Sequence, residues 1–166
     1  IKSLFAGAIG LLLVWIFMII NYGKRGLIAN VALTLYVLIS LSIFKLLPVT
    51  LTLAGIAGFI LSVGMAVDAN ILIFERMKEE LRWGRPMKAA LELAFQRAWT
   101  SVRDSNVSSI ITALILFWFG SGSVRGFALT LLVGITVSLF TSVTVTRSLM
   151  RLLYSGATYT RPKSKI

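Results

Sequence analysis

The sequence predicts an all-α integral membrane protein with five transmembrane helices and one cytoplasmic surface helix. Three observations carry that expectation. The chain of 166 residues is 57% hydrophobic and only 14% charged, with a mean hydropathy of +0.89. That is about half the charge of an ordinary soluble domain and more apolar surface than a core of this size can hide. The apolar residues come in runs of about twenty, the length that crosses the hydrocarbon as a helix. Finally, the basic residues gather on alternate loops.

Taken in order, the first helix is expected over residues 4–22, stopped by Gly23-Lys24-Arg25-Gly26, and the second over 27–44, followed by a turn marked by Lys45 and Pro48. The third is expected over 51–74. FERMKEEL then extends it past the membrane surface, with Arg76 and Glu80 spaced as an i,i+4 pair, and Trp83-Gly84-Arg85 ends it. Pro86 suits the start of a new helix. The stretch 86–99 places Met87, Ala90, Leu91, Ala94, Phe95 and Ala98 at helical spacing, which reads as a surface helix lying in the cytoplasmic interface, with Trp83 and Trp99 as anchors. The fourth and fifth spans are expected over 102–119 and 126–146, separated by Gly120-Ser121-Gly122-Ser123. Residues 1–154 thus form the transmembrane domain, and 155–166 a basic cytoplasmic tail.

Topology follows from the cations. One side holds Lys24 and Arg25, then the basic residues of the 75–103 loop, then Arg147, Arg151 and the tail. The other side holds only Lys2, Lys45 and Arg125. The positive-inside rule puts the N-terminus outside and the C-terminus in the cytoplasm. This accounts for the formal charge of +11 without nucleic acid. An outside start with five helices suggests an upstream helix and an extracytoplasmic domain.

The chain has no Cys and no His. Thiol chemistry and Cys or His metal sites are therefore excluded, and proton chemistry is left to six carboxylates. No phosphate-binding glycine loop is present. The sequence points to no enzyme, no metal and no cofactor.

One carboxylate stands out. Asp68 lies inside the third apolar segment, between Ile60-Leu61-Ser62-Val63 and Ile71-Leu72-Ile73-Phe74. It is roughly 9 Å inside the inner end, at 1.5 Å per residue. A charge at the centre of a membrane helix costs about 2.5–3.5 kcal/mol. Burial raises such a pKa and a partner cation lowers it, and a carboxylate balanced between the two can load and release a proton; a static helix-joining bond is the alternative. Ala57 and Gly64 share its face and would admit a neighbouring helix. The expectation is that Asp68 faces the bundle interior near the fourth helix. That helix carries a polar stripe of Ser101, Ser105, Ser108, Ser109 and Thr112, flanked by Asp104 and Asn106. The stripe suits either waters leading to the carboxylate or helix packing. Asp104 reads as solvated or as an N-terminal cap. The fifth helix repeats Gly126, Thr130, Gly134, Ser138 and Ser142, a small-residue stripe for close packing within the chain, with a partner subunit as the alternative.

GMAVDANILIFERMKEEL resembles the fourth-segment motif of the SecD branch of the SecD/SecF protein-export family, in the resistance-nodulation-division superfamily. The stretch FQRAWTSVRDSNVSSIITALILFWFGSGSVRGFALTLLVGITVSLFTS is similar to its fifth and sixth segments. Ser105 stands where Ala is common, and Ser108-Ser109 where two Thr are usual. The resemblance implies helices 2–6 of a six-helix bundle in the bacterial inner membrane, working with SecF and the SecYEG channel, and with YajC, on a translocating preprotein. It implies proton coupling, or sodium as in some relatives. It makes Asp68 the proton-relay group, with an arginine supplied by SecF; Asn70, Ser105, Asp104, Asn106, Ser109 and Thr112 are candidates for relay or helix-contact support beside it. Rival readings are half of an efflux pump of the same superfamily and a non-transporting membrane scaffold.

Overall fold

The computed structural model describes residues 2–47 and 52–154. The tail over 155–166, Pro48 and the first residue of the third predicted span lie outside the described residues. Among those described, the chain is helical and contains no strand. The elements are α1 (Lys2–Tyr22), α2 (Lys24–Leu46), α3 (Leu53–Arg82), α4 (Met87–Phe119) and α5 (Gly122–Phe140), then a π-helical turn (Thr141–Thr146) and α6 (Arg147–Tyr154). By length and composition, Lys24–Leu46, Leu53–Arg82 and Gly122–Tyr154 can each cross a membrane, and Gly7–Tyr22 is a shorter apolar helix.

The lengths of α3 and α4 shape the molecule. Their 30 and 33 residues correspond to roughly 45–50 Å, against an apolar layer of about 30 Å. Both are longer than that thickness, and their joined ends form a neck. Thr52 caps the start of α3, its hydroxyl accepting from the Gly55 amide at 3.1 Å. At the other end Gly84 takes φ +77°, a left-handed conformation that side chains resist, so the chain reverses within Trp83–Pro86. Pro86 precedes the first residue of α4, where a missing amide costs nothing.

The predicted surface helix over 86–99 is not a separate element. It continues without a break into the predicted fourth span as the single helix α4. Nothing between Trp99 and Val102 interrupts a helix: there is no Gly and no Pro. Its apolar face meets protein. Leu91, Ala94, Phe95 and Ala98 pack with Phe74 and Met77 of α3 and Met150 of α6 into one buried core.

Close approach of α3 and α5 organises the rest. A Cβ on Gly58 would lie 2.5 Å from Thr130 Oγ1 and 2.6 Å from the Phe127 carbonyl, and a Cβ on Gly134 would collide with Ser62. Hydrogen there lets the two backbones meet, and Thr130 Oγ1 then donates to the Gly55 carbonyl at 2.9 Å. On the other side of Ser62, its hydroxyl lies 2.6 Å from the buried Tyr36 hydroxyl, which ties in α2.

Candidate functional site

The buried stripe of α3 runs Gly55, Gly58, Ser62, Ala66, Ala69, Asn70, Ile73, Phe74, Met77 and Glu80. Apart from the adjacent pairs Ala69-Asn70 and Ile73-Phe74, steps of three and four residues keep one face inward. Asp68 sits two residues from both Ala66 and Asn70, roughly 200° around the helix, and so points out. It is exposed, as are Ala57 and Gly64 on its face, and a Cβ on Gly64 would meet nothing within 4 Å. Among the described residues Asp68 has no hydrogen bond or ion pair. The expectation that Asp68 faces the bundle interior is therefore corrected. Among the described residues no helix packs on Ala57 and Gly64; the small residues that do admit one are Gly55, Gly58 and Ser62. Both faces of α3 are small and apolar, so periodicity alone did not say which turns inward.

The supporting residues divide. Asn70 is buried. Its Nδ2 donates to the Ala66 carbonyl at 3.2 Å, and its Oδ1 accepts from the buried Thr146 hydroxyl at 2.8 Å. Asn106 is buried on α4 and donates to the Val102 carbonyl at 2.7 Å, while its Oδ1 has no partner. Ser105, Ser108 and Thr112 are exposed and Ser109 half-buried, and each hydroxyl folds back on its own helix, to the carbonyls of Val102, Asp104, Ser108 and Ser105 respectively. Asp104 lies mid-helix and exposed, accepting from Arg103 at 3.0 Å, so it caps nothing. Gly126, Thr130, Gly134 and Ser138 lie on α5; a Cβ on Gly126 would meet Thr52 Oγ1 at 3.2 Å, and Thr130, Gly134 and Ser138 are buried.

Sequence reasoning missed the π turn and Thr146. The signal available was TSVTVT, a run of β-branched and hydroxyl side chains. Such residues are stiff at χ1 or compete for the helix's own carbonyls. Here Thr141 Oγ1 donates to the carbonyls of Val137 and Ser138, at the junction of α5 and the wider turn. π turns are rare and recur at functional sites.

It also missed the charge arrangement of the neck. Glu80 is 1% exposed, with Arg85 Nε 2.8 Å from Oε2 and Arg97 Nη1 3.0 Å from Oε1. Neither contact has hydrogen-bond alignment, so the hold is chiefly coulombic. Arg97 also lies over the Trp83 ring at 4.9 Å. The expected Arg76–Glu80 pair does not form; Arg76 pairs instead with Glu79 at 2.8 Å. Glu80 belongs to the face turned toward α4, while Arg76 and Glu79 stay at the surface. A second carboxylate, Glu92, takes Arg147 Nη2 at 2.6 Å and Arg151 Nε at 2.7 Å. The bonds from Arg151 and then Arg147 pull its pKa down to about 2.

Fold and site together define a membrane-embedded helical bundle with, among the described residues, a single unpaired carboxylate on its flank and a charged neck at one end. Residues 1–156 match the family described as "Protein export membrane protein SecD/SecF, C-terminal". The chain is 53% identical over 158 residues to a protein translocase subunit SecD of Thermobaculum terrenum, covering 93% of this chain and 31% of that protein. It is 54% identical over 149 residues to the SecD of Synechocystis, covering 90% and 32%. The crystal structure of SecDF, a translocon-associated membrane protein from Thermus thermophilus, superposes with a TM-score of 0.87 at 34% identity, over 95% of this chain and 22% of that one. The chain belongs to the SecD/SecF protein-export membrane family. It spans about a third of the length of the curated relatives it matches.

Proposed function

We propose that this chain is the membrane part of a SecD-type protein translocase subunit that uses the proton motive force to promote protein export. The observation that carries the reading is Asp68: an ionisable group within an apolar helix, exposed on the chain's outer face with no partner of its own. An unpaired carboxylate in a membrane helix is costly, so it is partnered, protonated or used. Its outward direction favours a second subunit as the source of the facing groups, and SecF is the family's candidate for supplying an arginine there. Asp68 would then alternate between a protonated and a charged state, each favouring a different arrangement of the two subunits.

The remaining features belong to the same proposal. Five helices span the inner membrane, α1 and α4 joining the three that qualify by length and composition. The N-terminal end of the chain lies outside and the C-terminal end in the cytoplasm, as the basic loops require. The role is transport rather than catalysis, with H+ as the coupling ion and Na+ the alternative. The partners are SecF, the SecYEG channel and YajC, and the preprotein is handled by an extracytoplasmic part beyond this chain. Asn70, Asp104, Asn106, Ser105, Ser109 and Thr112 give relay or helix-contact support: Asn70 and Asn106 from within the bundle, the others from the outer flank of α4.

The test is Asp68→Asn in the complete protein with its partners. Asparagine keeps size and hydrogen bonding and removes titration. Proton-dependent export into membrane vesicles should be lost while assembly is unchanged. Normal export by the variant would refute the relay role; lost drug resistance with intact export would instead mark an efflux pump.

A further inference from the structure

The neck carries a cleft that the reading above does not use. It has a volume of about 170 Å³ and opens between α4 and the π turn. Phe95, Trp99, Val102 and Val143 make it largely apolar, and Ser142 and Arg147 add polar groups. Enclosed pockets for whole small molecules run from about 300 Å³ upward. A cleft this small and open therefore suits a ligand lodged only in part.

Its charge is one-sided. Glu92 is shared by Arg147 and Arg151, two cations for one carboxylate, which leaves an excess positive charge at the mouth. Arg147 gives Nη2 to Glu92. The Arg147 side chain is nonetheless 35% exposed and lines the cleft, so its outer guanidinium donors are open to a phosphate oxygen with charge assistance. Trp99 is 39% exposed beside it, the amphipathic ring expected at a headgroup layer. Trp99 and Arg147 thus set an interfacial ring and a guanidinium at one end of an apolar furrow. This is the chemistry of a glycerophospholipid, with an acyl chain and an anionic head joined at the interface.

We propose that this cleft is a binding site for an anionic phospholipid, its phosphate on Arg147 and the start of an acyl chain along Phe95, Val102 and Val143. The occupant fits the excess charge, which a zwitterionic lipid would neutralise poorly. A soluble anion would leave the apolar furrow unfilled. The inference needs the chain to span a bilayer with this neck at a headgroup layer; it does not depend on the relay role of Asp68.

The test uses the complete protein reconstituted in bilayers that mix phosphatidylglycerol with phosphatidylcholine, one of the two brominated. Quenching of Trp99 is isolated by subtracting the signal of Trp99→Phe. Quenching should favour brominated phosphatidylglycerol by about fivefold, the worth of one well-placed cation near a headgroup. Arg147→Gln should bring the ratio close to one. Glu92→Gln removes the competing carboxylate and should keep or raise the preference, although it breaks the same ion pair. If Arg147→Gln fails to fold, Glu92→Gln still decides. Equal quenching by the two lipids in the unaltered protein would overturn the proposal. So would preference surviving Arg147→Gln, loss of preference in Glu92→Gln, or displacement by inorganic phosphate alone.

Discussion

Gly134→Ala offers a sharp test of how the bundle is held together. The added methyl would collide with the Ser62 hydroxyl and also with Ser62 Cβ, and would lie 3.0 Å from the Tyr36 hydroxyl. Either α3 and α5 separate or Ser62 moves and its 2.6 Å bond to Tyr36 breaks. Overpacking costs about 1–3 kcal/mol. Loss of a buried hydroxyl pair adds about 1 kcal/mol. The total is about 2–4 kcal/mol, read as unfolding free energy in mixed micelles. The geometry makes a further demand. Ser62→Ala leaves the Cβ in place, so it cannot relieve the clash, whereas Ser62→Gly can. Gly134→Ala should therefore be rescued by Ser62→Gly and not by Ser62→Ala, with a coupling of about 1–2 kcal/mol between positions 62 and 134 in the first pair. Equal rescue by both, or a Gly134→Ala protein as stable as the parent, would refute the close approach of the two backbones.

Three more perturbations follow from the buried polar groups. Replacing both Arg85 and Arg97 by Gln leaves Glu80 buried and unpaired and should cost about 3–5 kcal/mol, whereas Glu80→Gln leaves two half-exposed cations and should cost less; thermal unfolding in detergent ranks them. Glu92 is depressed in the folded state, so its ion pairs stabilise above the ordinary carboxylate pKa, and that contribution is lost as pH falls from about 4.5 toward 2. Because its side chain is 42% exposed, screening leaves about 1 kcal/mol; melting temperatures of the parent and Glu92→Gln should converge by pH 2. Thr146→Val orphans Asn70 Oδ1 and should cost about 1–3 kcal/mol, with faster hydrogen exchange across 141–146, while Thr146→Ser should restore both.

Much of this architecture was legible because membrane helices declare themselves by length and apolarity. Asp68 too was legible as a chemical anomaly. Its direction was not, and the reason is physical. α3 has small residues on two faces, Gly55-Gly58-Ser62 and Ala57-Gly64, and a sequence does not say which pair meets a neighbour within the chain. The partner decides: Thr130 and Gly134 of α5 match the first set, so the second set and Asp68 turn outward. The continuity of α4 was hidden by the same kind of ambiguity. An amphipathic stretch beside a predicted span reads as a helix lying on the bilayer, yet Leu91 and Phe95 face Phe74, Met77 and Met150 rather than lipid. The neck thus gains a core of its own, and its two buried or bridged carboxylates depend on arginines that pattern alone could not pair with them.

Asp68 and the neck are connected through one buried bond. Asn70 is two residues from Asp68 and on the opposite face of α3, and it accepts from Thr146, the last residue of the π turn. Arg147 follows at once and grips Glu92 on α4. A rotation of α3 that carried Asp68 into a new environment would therefore strain the Asn70–Thr146 bond. That strain would fall on the turn whose wider hydrogen-bonding pattern departs most from the regular helix. The rigid α3–α5 contact at Gly58 and Gly134 lies on the other side of Asp68 along α3. Movement of α3 near Asp68 is thus opposed at one end by close-packed backbones and at the other by a hydroxyl bond, and the second is the weaker restraint. Motion coupled to the charge state of Asp68 should accordingly appear first in hydrogen exchange of residues 141–146 when Asp68→Asn is compared with the parent. An identical exchange pattern in that turn would show that the bond transmits nothing.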